Sequence, residues 1–243
     1  MDEQVERLVS KVRAKLETLP ESRRLLIAVS GIPGSGKTTL ASRVSSNLNA
    51  IHRASAPGLA DFPPAGFIPM DGYHLTRAQL SEMPDPAAAH ARRGAAFTFD
   101  GMSFLDLVRR LREPICPETT TLYAPGFDHA VKDPVADEIP IPKHMRVILF
   151  EGNYLSLARV PWKEAAGMMD ELWFVEVDFE VARRRLVARH LKAGIAKDEE
   201  EANRRATDND LVNGKEIVEN RLEVQEMIVS NEDDLWKPEA QGV

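Results

Sequence analysis

The chain has 243 residues, 43% of them hydrophobic, and a formal net charge of −7. That length suits one large α/β domain or two small ones, with enough apolar material for a buried core. The acidic balance argues against a duplex-binding face, which needs clustered Lys and Arg, and a single cysteine, Cys116, cannot form an internal disulfide and fits a reducing compartment.

The N-terminal stretch "MDEQVERLVSKVRAKLETL" carries acids early and has no apolar h-region, so it reads as neither signal nor transit peptide. No apolar run approaches the ~20 residues needed to cross a bilayer, so a cytoplasmic protein without membrane partners is expected. Val5, Leu8, Val12 and Leu16 recur at helical spacing and predict an amphipathic helix within residues 1–20, packed on the domain. "RRLLIAVS" (23–30) is a continuous apolar run ending at glycine, a buried parallel strand, and residues 37–48 follow with helix-forming composition. "AGFIPM" (65–70) is a second strand, ending at Asp71-Gly72, and "HLTRAQLSEM" a short helix. Residues 84–100, with prolines, a glycine and two arginines, read as loop. "FDGMSFLDLVRRLRE" reads as helix, with Asp100 or Ser103 near its start. "TTTLYAPGFDHAVKDP" opens on β-branched residues and breaks at Pro125-Gly126. "MRVILFEGNYL" is the clearest buried strand and ends at Glu151; "ELWFVEVD" (171–178) is another, ending at Asp178. A basic helix over 179–193 leads into a polar helical stretch with a break at Asn213-Gly214, and "EMIVS" (226–230) is a last strand.

Strands separated by helices predict a mostly parallel sheet with helices on both faces. Ligands then bind beyond the carboxyl ends of the strands, where Gly31, Asp71, Glu151 and Asp178 fall. Gly31-Ile-Pro-Gly34-Ser35-Gly36-Lys37-Thr38 satisfies G-x-x-x-x-G-K-[ST] between a strand and a helix, with Thr39 next in the first turn. Glycines let the backbone curl so that its N–H groups face an anion, and the helix start adds its positive end. Lys37 reaches the β- and γ-phosphates and Thr38 offers a hydroxyl to Mg²⁺. The alternative, a glycine-rich turn with an exposed lysine, lacks a reason for the strand–loop–helix context. The loop itself names a nucleoside triphosphate with Mg²⁺ but no reaction, and ATP is the expected cofactor only because a guanine-reading element is missing. The N-K-x-D and D-x-x-G elements of switch GTPases and the L-S-G-G-Q element of transporter ATPases are absent, which points toward kinases.

Asp71, one strand over from the loop, can orient an acceptor hydroxyl and take its proton; it can equally cap a turn before glycine. Glu151 can hold the magnesium shell or contact substrate, or cap a turn. Arg183, Arg184, Arg185 and Arg189 lie within about two helical turns, too many for one phosphate; Arg184 or Arg185 together with Arg189 are the candidates to cover the transferring group. His129 sits in a glycine-proline loop, able to bond an acceptor hydroxyl or simply backbone. The six histidines form no H-x-x-x-H pair, so no structural zinc is expected.

Taken in order, "SGIPGSGKTTLA", "MDGYH", "RRGAAFTFD", "YAPGFDHAVKDP" and "ILFEGNYL" resemble the uridine kinase, phosphoribulokinase and pantothenate kinase superfamily of P-loop kinases, most closely its sugar-kinase-like (fructose transport system kinase-like) branch. The resemblance spans residues 24–230. It implies one P-loop kinase domain over 1–243, a three-layer sandwich with a substrate-binding insertion at 84–135 and a helical lid with nucleotide-side helices at 179–215. It makes Asp71 the candidate base and puts Glu151 near metal and acceptor. It makes Tyr73, His74, Arg92, Phe127, Asp128 and His129 candidate substrate contacts, and brings Asn213 near the adenine. "P-G-F-D" replaces the "P-x-Y-D" of the group's nucleoside kinases, which counts against uridine itself. The expectation is an ATP-dependent phosphotransferase acting on a hydroxyl of a small polar metabolite (a sugar, a riboside or a pantothenate-like alcohol), as a monomer or homodimer. The rival is a nucleotide-dependent regulatory or assembly ATPase without a small-molecule acceptor.

Overall fold

Five of the apolar runs line up as one parallel sheet in the structure, a computed structural model that describes residues 2–230. Residue 1 and residues 231–243 of the single domain expected over 1–243 lie outside the described residues. In chain order, α1 (Asp2–Thr18) precedes β1 (Leu25–Gly31) and α2 (Lys37–Ser55). Then β2 (Ala65–Pro69) leads through a 3-10 turn (Met70–Tyr73) to α3 (Arg77–Ser81), α4 (Pro86–Ala91) and α5 (Gly101–Arg112). Two hairpin strands, β3 (Leu122–Asp128) and β4 (Asp133–Ile141), come before β5 (Val147–Glu151), α6 (Trp162–Ala166) and β6 (Glu171–Glu176). The chain continues through α7 (Phe179–Lys192), α8 (Glu199–Arg205), α9 (Leu211–Glu219) and β7 (Glu226–Val229).

The sheet order is β2-β5-β1-β6-β7, parallel throughout. Every residue of central β1 is buried, which is why its sequence reads as an unbroken apolar run. Period-two alternation still divides it. Leu25, Ile27 and Val29 join a core with α1 and α2, whereas Leu26 and Ala28 join the core formed by α5, α6 and parts of α7 and α9. The result is the expected three-layer α/β sandwich. Val5, Leu8 and Val12 of α1 are buried and Leu16 is partly so; at about 1.5–3 kcal/mol for each large apolar side chain, that stripe holds the helix down. Lys11 and Lys15 add ion pairs of 2.8 and 2.7 Å to Glu171. Register sets the site: Glu151 lies opposite both Val29 and Pro69, so the loop after β1, the end of β5 and the turn after β2 share one edge.

Three segments differ from the sequence expectation. Residues 84–100 are not all loop: Asp85 accepts the Ala88 amide and Pro86 starts α4, a capped helix too short to show periodicity. The chain does not break at Pro125-Gly126 but runs through as β3, with a register shift between Ala124 and Gly126 that accommodates the proline's missing N–H. Its partner β4, "DPVADEIPI", is largely exposed and carries no apolar alternation to mark it. The helical stretch does not break at Asn213-Gly214 either. Its irregularity is a π-helical turn at Ala206–Asp210, and Gly214 lies inside α9, where a Cβ would approach the Ile32 Cβ to 3.2 Å.

Candidate active site

The loop between β1 and α2 is shaped by backbone that a side chain would strain. Gly34 has φ +79°, and a Cβ there would stand 2.9 Å from the Ala182 carbonyl of α7. Gly36, the residue before α2, is also left-handed and gives the helix no side-chain cap. The amides of Lys37, Thr38 and Thr39, in the first turn of a 19-residue helix, thus receive no cap from Gly36 and lie at the positive end. The Ser35 hydroxyl is buried without a partner among the described residues, beside Gly31. Arg185 donates to the Gly34 carbonyl at 3.2 Å and to the Ser230 hydroxyl at 2.9 Å, tying α7 to the loop. Amides left uncapped by Gly36 and a hydroxyl unpaired among the described residues, on one glycine-shaped loop, make a receptor for phosphate oxygens.

Beside that cradle the buried charges converge. Lys37 Nζ donates to the Ile32 carbonyl at 3.0 Å and stands 4.0 Å from Glu151 Oε1. Burial pushes the Lys37 ammonium below its ordinary value, against the opposing pull of Glu151, and the charge of Arg189 pushes the same way as burial. Burial likewise raises the Glu151 carboxyl, while Lys37 and a hydrogen bond from Thr38 hold it down. Asp71 acts electrostatically on both members of the pair. Lys37, Thr38, Glu151, Asp71 and Arg189, singled out from the sequence, therefore occupy one electrostatic neighbourhood. Asp71 is the accessible member: its side chain is 53% exposed, with His74 Nδ1 3.9 Å from Oδ1. Asp178, the other acid at a strand end, caps α7 by accepting the Glu180 and Val181 amides.

The wall next to Asp71 is aromatic. His74 packs 4.0 Å from the Phe99 ring and 5.1 Å from Phe127, and its Nδ1 lies 2.9 Å from the Asp71 carbonyl. Burial lowers its pKa and favours the neutral ring, against the opposing pull of Asp71, and Nε2 is the remaining acceptor when Nδ1 donates. The hairpin closes over this turn so tightly that a Cβ on Gly72 would lie 2.0 Å from the Pro125 carbonyl. Tyr73 is turned into the core, edge-on to Phe104, with its buried hydroxyl unpartnered among the described residues and its pKa raised by burial and then by Asp100. A cavity of about 430 Å³ adjoins it, walled by Asp100, Ser103, Arg110, Tyr123 and Pro125.

Other expected contacts serve the frame. Arg92 donates to Asn209 at 2.9 Å and to Asn213 at 2.7 Å, so the residues assigned to substrate and to nucleotide are bonded to each other, joining the end of α4 to α9. Asp128 accepts the Ala130 and Val131 amides at the hairpin tip, and those bonds hold its carboxyl below the usual range. His129 is exposed on the tip, 5.2 Å from the Phe127 ring. Arg183 pairs with Glu180 on its own helix, and Arg184 is exposed. Sequence reasoning missed Arg93, whose guanidinium lies over Phe127 at 5.8 Å and donates to Asp133 and the Leu75 carbonyl. Its signal was present in the doublet before Gly94, but nothing in the sequence says which arginine turns toward the hairpin.

Among the described residues no three His, Cys, Asp or Glu side chains group as a metal site. A divalent cation at Thr38 and Glu151 would need phosphate and water oxygens to complete its shell, as Mg²⁺ ordinarily does in phosphoryl-transfer sites. The donors fit: one hydroxyl and one buried carboxylate, both oxygen, with the carboxylate's charge only partly balanced by Lys37. No helix among the described residues is long and apolar enough to cross a membrane.

No profile of a known protein family matches the chain. It is 57% identical over 162 residues to the ATP-dependent kinase-like protein notR' of Aspergillus versicolor, covering 67% of this chain and 94% of that protein. It is 39% identical over 198 residues to a Schizosaccharomyces pombe protein provisionally named uridine kinase C227.14, covering 82% and 80%. Among solved structures, a Silicibacter sp. TM1040 protein provisionally named a fructose transport system kinase superposes with a TM-score of 0.74 at 32% identity, over 90% of this chain and 98% of that one.

Proposed function

The chain belongs to the uridine-kinase-like family of ATP-dependent P-loop kinases, and from that premise we propose that it transfers the γ-phosphoryl group of ATP to a hydroxyl of a small polar metabolite, with Asp71 as the base. The observation that carries this reading is the pairing of an accessible carboxylate, Asp71, with the buried Lys37–Glu151 pair next to the phosphate cradle. A regulatory ATPase needs the cradle and the lysine but not an accessible base under an aromatic wall.

The roles follow from position. The loop amides, the Ser35 hydroxyl and Lys37 bind the β- and γ-phosphates and hold the γ-phosphorus still. Thr38 and Glu151 hold Mg²⁺, which neutralises charge on the phosphates when bound. The acceptor lies against His74 and Phe127 with its hydroxyl directed at Asp71. That hydroxyl's proton passes to an Asp71 oxygen as the acceptor oxygen bonds the γ-phosphorus, the bond to the β,γ-bridging oxygen breaks, and ADP leaves. Arg189, whose charge already acts on Lys37 and Glu151, stabilises the transferring group, and Arg185 keeps the loop against α7. A sugar, a riboside or a pantothenate-like alcohol meets these demands.

The test is ADP release by the full chain with Mg²⁺-ATP, with and without a panel of such alcohols. Stimulation of tenfold or more by at least one acceptor, with a matching gain of one phosphoryl mass on it, is expected. ADP release that no acceptor raises but a protein partner does would overturn the reading in favour of a regulatory ATPase.

A further inference from the structure

Arg24 immediately precedes β1, so it lies at the end of the sheet opposite the phosphate loop. Only 2% of its surface is exposed. Its Nε and Nη2 are sealed from solvent and have no hydrogen-bond partner among the described residues. A neighbouring guanidinium provides the contrast. Arg112 donates to the Arg24 carbonyl at 3.1 Å, but its own charge is met by Asp170 at 2.9 Å. That carboxylate oxygen also accepts the Leu26 amide at 2.8 Å, so Asp170 is already committed. Burial is the one influence that shifts the Arg24 guanidinium, and it acts against the charged form. A guanidinium does not escape by giving up its proton at neutral pH. A buried, unmatched cation is strongly unfavourable, and a fold that keeps one has a use for an anion beside it.

The space for that anion is present. A cavity of about 270 Å³ is lined by Arg24 and by the exposed Arg110 of α5, together with Cys116 and Thr119 of the loop that follows. Glu113 and Glu118 also border it, both exposed, and neither forms an ion pair with Arg24 among the described residues. Two guanidinium groups from different elements match a compact dianion, because the exposed Arg110 can donate two parallel N–H bonds to oxygens of one tetrahedral group while Arg24 donates from Nη1, its one guanidinium nitrogen outside the sealed set. The two acids disfavour an extended polyanion.

We propose that this cavity is a second binding site, specific for a phosphate group, held by Arg24 from inside and Arg110 from the rim. The seven residues of β1 separate it from the loop at Gly31, roughly 23 Å at about 3.3 Å per strand residue. A triphosphate held in that loop does not reach it, although Arg110 stands between this cavity and the one beside Tyr73 and borders both. Inorganic phosphate and a phosphate monoester share the recognised chemistry, and the experiment separates them.

The full chain is first saturated with Mg²⁺ and a non-hydrolysable ATP analogue, so that added phosphate cannot report through the loop at Gly31–Thr38. Inorganic phosphate or glycerol phosphate is then titrated against sodium chloride of equal ionic strength. The readout is the rate at which iodoacetamide alkylates Cys116, the chain's one cysteine, with calorimetry giving stoichiometry. A saturable slowing of at least fivefold, at one phosphate per chain, is expected. A lower half-saturation concentration for the monoester assigns the site to a metabolite, and equal concentrations assign it to free phosphate. Arg110→Ala, an exposed change, raises the half-saturation concentration at least tenfold. Arg24→Met abolishes protection and, in phosphate-free buffer, raises the melting temperature, because it removes an unmatched charge. Protection no greater than with sodium chloride, protection unchanged in Arg110→Ala, or a lower melting temperature for Arg24→Met without phosphate would each overturn the proposal.

Discussion

Lys37→Met isolates the electrostatics of the site from its catalysis. Methionine keeps much of the alkyl bulk and removes the charge, leaving Glu151 buried beside Asp71 with no ammonium 4.0 Å away. At an effective dielectric of about 20, an ion pair at that distance is worth about 4 kcal/mol. The variant does not have to lose all of it, since Glu151 can take up a proton instead. Protonating a carboxyl of ordinary pKa 4.5 at pH 7 costs about 3.4 kcal/mol, at 1.36 kcal/mol per unit, and this caps the loss. At pH 5 the cap falls to about 0.7 kcal/mol by the same arithmetic. The sign follows from linkage: a carboxyl raised in the folded state binds more protons folded than unfolded. Its contribution is therefore fully present below 4.5 and is lost as pH rises through the folded value. Urea unfolding at pH 5, 6 and 7, without nucleotide or magnesium, should show a deficit relative to wild type that grows with pH. At about 2–4 °C per kcal/mol, the pH 7 deficit corresponds to at most roughly 7–14 °C in melting temperature. Adding Glu151→Gln to the variant should flatten the pH dependence. An equal deficit at pH 5 and pH 7 would refute the buried-pair reasoning.

Two further changes probe the cradle and its cover. Gly34→Ala forces a Cβ onto a left-handed residue 2.9 Å from the Ala182 carbonyl, and should weaken ATP binding at least tenfold by calorimetry; an unchanged dissociation constant would mean that the loop tolerates the distortion. Arg189→Ala should lower kcat by about 10²–10³, the usual effect of losing one aimed charge-stabilising donor, whereas Arg183→Ala, which removes a half-buried side chain bonded to Glu180 on its own helix and to Asn203 of α8, should stay within about twofold of wild type in kcat, since neither partner belongs to the site. Equal losses in the two variants would remove Arg189 from its role.

What could be read from the sequence was whatever burial or backbone geometry writes locally. Strands β1, β5 and β6 are apolar because both faces of a central parallel strand are covered, and the phosphate loop shows itself because glycine is needed where φ is positive. Asp71 and Glu151 could be placed because strand ends converge at one edge of such a sheet. The hairpin could not be read: most of β4 is exposed, so no alternation marks it, and β3 passes through a proline at its irregularity. Arg92 and Arg93 are adjacent and chemically identical, and only tertiary packing sends one to Asn209 and Asn213 and the other over Phe127. Tyr73 was assigned to the substrate for its place in "MDGYH", yet the 3-10 turn swings its ring into the core and leaves His74 on the cleft side.

Asp71→Asn tests the central claim most directly. The side chain is half-exposed, so the amide should leave folding intact, and the Lys37 cradle should bind ATP with an unchanged dissociation constant. With the acceptor that most stimulates ADP release, kcat should fall by about 10²–10⁴, the range that a positioned general base supplies. Full ATP affinity with turnover reduced by that factor is the predicted result; turnover within a few-fold of wild type would contradict the assignment of Asp71 as the base and the mechanism built on it.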